Sequence, residues 1–143
     1  MRYLVATDGS PQGDAAVAYA ATRAAAFDAQ LEIVHVLTSR TRSVDGEAVL
    51  EDELEGTETG EAVLERATSI AREAVDKPSG TLEVSSQLLT GRPASAIADH
   101  AAEIGADAIF TGHRGLSSKR EELVGSVAKG VVDEAAVPVT IVR

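Results

Sequence analysis

The sequence predicts an α/β fold: an open parallel sheet of five strands with helices on both faces. Three observations carry this. Five short β-forming runs alternate with four runs whose apolar residues recur at helical spacing. The first and last β-type runs, YLVAT at 3–7 and VTIV at 139–142, are nearly continuous in apolar or β-branched residues, as strands covered on both faces are. The 143 residues, 44% of them hydrophobic, fit one domain spanning 1–143, long enough to bury about two-thirds of its unfolded surface.

The strands are read at 3–7, 31–37, 82–89, 107–111 and 139–142. The first helix follows Ser10, a hydroxyl that caps, and Pro11, whose missing N–H is no loss in a first turn; Val17, Ala20, Ala24 and Phe27 then share a face. The second, about 61–76, carries Leu64, Ala67, Ala71 and Val75 and ends at Lys77-Pro78-Ser79-Gly80. The third starts at Pro93, buries Ile97, Ala98, Ala101 and Ile104, and stops at Gly105, a natural left-handed terminator. The fourth begins near Ser126, with Val127, Val131 and Ala135 four apart. Between 38 and 60 the pattern lapses into a polar, acidic stretch that reads as a mobile loop, a short embedded helix over 48–54, or a functional flap.

Composition excludes several classes. The net charge of −10 argues against a nucleic-acid binder or a binder of anionic membranes, both of which need a basic surface. Without cysteine there is no disulfide framework and no thiolate metal site. The chain starts on a strand-like run, with no signal peptide and no segment long enough to cross a bilayer, so a cytoplasmic location is expected. Arginines outnumber the three lysines, Lys77, Lys119 and Lys129, and such a lysine-poor acidic surface fits a salt-rich cytoplasm. The only aromatic residues are Tyr3, Tyr19, Phe27 and Phe110, so Ala and Val must fill the core, which favours close packing over a roomy apolar pocket.

The stretch TGHRGLSSKREELVGS, 111–126, holds Gly112, Gly115 and Gly125-Ser126. It leaves the carboxyl end of the fourth strand, where open parallel sheets bind ligands. Gly112 and Gly115 permit close backbone approach, and Gly125-Ser126 opens a helix whose free N–H groups and dipole favour an anion. Phosphate fits, although each glycine alone would serve a turn equally well. No GxxxxGK[ST] occurs, and TDGSPQGD after the first strand is not GxGxxG.

DGS at 8–10, G-x2-G-x9-G-S at 112–126 and the closing AVPVTIV resemble the universal stress protein family, in its ATP-binding branch, across essentially the whole chain except 38–60. The resemblance implies strand order 3-2-1-4-5, an ATP site at the ends of strands one and four, and a homodimer. It also implies that Ala6, Thr7 and Asp8 lie at the adenosine end, with Asp8 bonding ribose or adenine and the Val36 backbone contacting adenine. Gly112, Gly115, Gly125, Ser126 and Val127 match ribose and phosphate contacts. Ala128 departs from the pattern, since many relatives keep a further hydroxyl there. Asp8 before Gly-Ser is equally the residue of an Asx turn, and the two roles can coexist.

His113, Arg114, Lys119 and Arg120 bring positive or titratable groups to this loop, and Arg114 is the first choice for a direct contact with a triphosphate. His35 and His100 read as structural. No base, water-positioning residue or fixed set of metal ligands is evident, so at most slow ATP hydrolysis is expected, with Mg²⁺ carried by the phosphates. The expected function is a regulatory ATP-binding stress protein. The alternative is a nucleotide-independent dimeric module that binds a protein partner, and a response regulator is disfavoured because the third strand ends LLTGR without a phospho-acceptor Asp. Pro138 lacks an N–H, so the final strand reads as an apolar sheet edge available for pairing with a second copy.

Overall fold

Alternate residues of the central strand β1 (Arg2–Ala6) feed two separate cores. Tyr3 and Val5 face one, with Leu31, Ile33 and Phe110; Leu4 and Ala6 face the other, with Val34 and Ile109. This alternation, the period-two geometry of a strand, lets one sheet carry helices on both sides. The computed structural model describes residues 1–38, 41–44, 47–50, 59–75, 82–113 and 124–143.

In chain order the elements after β1 are α1 (Pro11–Ala26), β2 (Gln30–Leu37), β3 (Thr41–Val44), β4 (Glu47–Leu50), α2 (Gly60–Ala74), β5 (Val84–Thr90), α3 (Pro93–Ile104), β6 (Ala108–Gly112), α4 (Ser126–Glu134) and β7 (Val139–Val142). The main sheet runs β5-β2-β1-β6-β7 with every pair parallel, which is the order 3-2-1-4-5 when only its own strands are counted. Helices α1 and α2 close the first core, and α3 and α4 the second.

Helix α1 forms where its caps dictate. Ser10 Oγ accepts the Gly13 N–H at 3.1 Å, and Pro11 occupies the first turn. Its buried row, Ala16, Val17, Ala20, Ala21 and Ala24, is almost all alanine, which lets the helix lie close to the sheet. Thr59 caps α2 by accepting the Ala62 N–H at 3.1 Å, and Val63, Leu64, Ala67 and Ala71 form its buried face. Helix α3 starts at Pro93 and ends at Gly105, with φ 65° and ψ 41°, the left-handed conformation that glycine adopts without penalty.

Two expectations need correction. The stretch 38–60 is not simply a loop, and the helix expected over 48–54 does not form at its start: β3 and β4 pair antiparallel with Val44 opposite Glu47, so Ala48 and Leu50 are in a strand. In the sequence, Asp45-Gly46 is a dipeptide favoured in two-residue hairpin connections, and it lies outside the described residues. The second helix stops at Ala74 rather than about residue 76, and Lys77-Pro78-Ser79-Gly80 lies outside the described residues.

Candidate functional site

The turn after β1 is built from side chains that bond its own backbone. Thr7, 6% exposed, accepts the Gly9 N–H on Oγ1 at 3.2 Å, and Asp8 Oδ1 accepts the Ser10 N–H at 2.9 Å, an Asx turn. Gly9 takes φ 83°, where a side chain would be strained. From α2, Arg66 donates to the Gly9 carbonyl at 3.2 Å and pairs with Asp14, holding the outer side of the turn.

This turn sits at the carboxyl end of the sheet beside the ends of β2 and β6. Ala6 lies opposite Thr111 in the β1–β6 register, and the Thr7 N–H continues the ladder to the Val34 carbonyl at 3.0 Å. The Thr7 carbonyl takes a hydrogen bond at 2.8 Å from Nδ1 of His35, which places the ring proton on that nitrogen because a carbonyl can only accept. Val36, one residue beyond, is half-buried against the second core.

Gly112 closes β6 and pairs with Val142. A Cβ there would stand 2.9 Å from the Gln12 carbonyl oxygen and 3.0 Å from its carbon. Gly112 is therefore required by the first turn of α1, whatever else it contacts. The next residue, His113, donates its N–H to the Val142 carbonyl at 2.8 Å and accepts the Gly125 N–H at 2.8 Å, so the end of β6 is tied both to β7 and to the start of α4.

Helix α4, like α3, begins without a side-chain cap and with no acidic residue in its first turn; its N-cap is Gly125, and unlike α3 it has no proline in that turn. The first intrahelical bond runs from the Lys129 N–H to the Gly125 carbonyl at 3.1 Å, which leaves the Ser126, Val127 and Ala128 N–H groups outside the helical ladder. Helix α1 leaves β1 toward the first core and α4 leaves β6 toward the second, so the crevice between β1 and β6 is a topological switch point.

Of the expected site residues, Ala6, Thr7, Asp8, Val36, Gly112, Gly125, Ser126 and Val127 thus gather at this end of the sheet or at the helix that starts there. Arg114 and Gly115 lie outside the described residues, as do Lys119 and Arg120. His100 is held by Glu32, with Glu103 3.7 Å from Nδ1.

Two contributors escaped the sequence reading. A Cβ on Gly13 would stand 2.4 Å from Thr7 Oγ1 and 3.1 Å from Asp8 Oδ1, so its bareness makes room for both side chains. A glycine inside an otherwise helical run was the available signal. Arg66 had none, because its partners Gly9 and Asp14 are more than fifty residues away in the chain.

A separate open cavity of about 580 Å³ lies between α2 and β5, lined by Glu61, Leu64, Glu65, Thr68, Ser69 and Ser86. It contains none of the residues above and lies at the outer edge of the sheet, so its size does not make it the nucleotide candidate. Among the described residues, no three His, Asp or Glu side chains converge as metal ligands, and no helix is long and apolar enough to cross a membrane.

With sheet order, switch point and uncapped helix in place, comparison with known proteins identifies the class. The universal stress protein family model matches residues 1–143. The chain belongs to the universal stress protein family. A Thermus aquaticus protein described as a universal stress protein in the QAH/OAS sulfhydrylase 3′ region is 36% identical over 140 residues, covering 98% of this chain and 96% of that one. A universal stress protein solved in complex with cAMP is 27% identical with a TM-score of 0.70, over 99% of this chain and 96% of the other. The Archaeoglobus fulgidus universal stress protein in complex with dAMP is 28% identical with a TM-score of 0.71, over 100% and 98%.

Proposed function

We propose that this chain is an adenine-nucleotide-binding regulatory protein, taking ATP with Mg²⁺ carried on its phosphates, and at most a slow ATPase. The observation that carries the reading is the uncapped, acid-free start of α4, fastened by Gly125 to the end of β6 at a switch point of the sheet. Relatives of similar fold were solved with cAMP and dAMP, both adenine nucleotides. The triphosphate preference rests on the glycine stretch 112–126, with Arg114 supplying countercharge in an acidic chain.

Asp8 and the Val36 backbone take the nucleoside, while Gly112, Gly115, Gly125, Ser126 and Val127 take ribose and phosphates. Asp8 keeps its Asx turn, the Oδ1 bond to the Ser10 N–H, while it does so. Two copies pair through β7, whose Val139, Ile141 and Val142 are half-exposed beyond Pro138. A monomer by light scattering would overturn the pairing.

The test is to denature the purified protein, identify what it releases, and titrate the stripped chain and Gly115→Val with Mg-ATP. Bound adenine nucleotide that is lost in the variant supports the reading. An empty protein indifferent to ATP would overturn it in favour of a nucleotide-independent dimeric module.

A further inference from the structure

Among the described residues, one buried side-chain nitrogen has no hydrogen-bond partner: Nε2 of His113. The residue is 5% exposed. The other two histidines are engaged, His35 with the Thr7 carbonyl and His100 with Glu32. Buried polar atoms in folded proteins are almost always paired, and an exception calls for an explanation, a ligand that binds there being one.

Its position suggests which partner. The His113 backbone is bonded on both sides, by the Val142 carbonyl and the Gly125 N–H, so the residue is fixed where the end of β6 meets the start of α4. That start offers the unladdered N–H groups of Ser126, Val127 and Ala128 to an anion. An imidazole N–H adds a donor of the same kind, whereas a cationic ligand would be repelled by the positive end of the helix.

We propose that His113 Nε2 donates a hydrogen bond to a phosphate oxygen of the bound adenine nucleotide, which makes His113 a ligand-contacting residue. The proposal rests on the nucleotide reading above. It goes beyond that reading in assigning a phosphate contact to the His113 imidazole.

The experiment titrates AMP and adenosine separately into the full chain, His113→Phe and His113→Gln. A hydrogen bond to a charged group corresponds to roughly a ten- to hundredfold change in Kd. His113→Phe therefore weakens AMP by about that factor and leaves adenosine unchanged, and His113→Gln, which keeps a donor, recovers part of the loss. Unchanged AMP binding, or equal losses for AMP and adenosine, would overturn the proposal while the nucleotide reading stands. A wild-type chain that binds none of Mg-ATP, AMP and adenosine defeats both.

Should His113→Phe fail to fold, the imidazole ¹⁵N spectrum of the wild type decides. With three histidines in the chain, assignment is direct. The Nε2 resonance of His113 moves with AMP and not with adenosine. A resonance indifferent to AMP, or one moved as far by inorganic phosphate alone, would refute the contact with a nucleotide.

Discussion

Replacing Gly112 with alanine separates what the fold needs from what a ligand needs. The added methyl would stand 2.9 Å from the Gln12 carbonyl oxygen, 3.0 Å from its carbon and 3.2 Å from its Cβ. Two of these three atoms are backbone in the first turn of α1, and that turn is pinned by the Ser10–Gly13 cap bond, so no side-chain rotation relieves the contact. Overpacking of this kind costs about 1–3 kcal/mol. Removing a glycine returns about 0.4–1 kcal/mol by reducing the freedom of the unfolded chain. The net expectation for Gly112→Ala is a loss of about 1–2 kcal/mol, which urea unfolding reads as a lower midpoint at unchanged slope. Because relief requires α1 to move, the turn carrying Thr7 and Asp8 moves with it, and adenine-nucleotide affinity falls in the same variant. A Gly112→Ala protein as stable as the wild type or more so would refute the close approach of β6 and α1 and return Gly112 to an ordinary turn or a pure ligand contact.

Gly130→Ala places a Cβ 2.6 Å from Ala94 Cβ at the α3–α4 contact. The clash of about 1–3 kcal/mol outweighs the roughly 1 kcal/mol that alanine adds to a helix. Denaturation of Gly130→Ala, Ala94→Gly and the double variant should show the pair relieving one another; additivity would contradict the contact. Ser10→Ala removes the α1 cap and leaves the Gly13 N–H buried without its partner, a loss of about 1–2 kcal/mol, checked by thermal unfolding. If the acidity is an adaptation to salt, unfolding midpoints rise steeply with KCl, and low-salt curves that match high-salt ones would end that reading.

The architecture was legible because the features that set it are short-range. Continuous apolar runs mark strands buried on both faces, and Pro11, Pro93 and Gly105 punctuate the helices where the sequence says they should. The pairing of β3 with β4 was not read from the sequence, although Asp45-Gly46 is a dipeptide favoured in hairpin connections. Contacts made across the fold were not. The bareness of Gly112 and Gly13 answers to atoms of Gln12, Thr7 and Asp8, and the Arg66 clasp on Gly9 joins residues that only the closed sheet brings together. The sequence marked where a site would be, at the ends of β1 and β6, and placed His113 in its loop, while the burial of the His113 Nε2 with no partner among the described residues emerged only from the structure.

The double fastening of His113 has a mechanical consequence. Strand β7 is four residues long and bonded within the sheet on one side only, to β6. Its last carbonyl, that of Val142, holds the His113 N–H, while the His113 carbonyl holds Gly125. A pull on the carboxyl terminus is therefore borne first by β7 and passes at once to the junction of β6 and α4, before it reaches the central strand β1, which is bonded on both sides. Whatever grips or frees this last strand acts on the glycine stretch while the core is still intact.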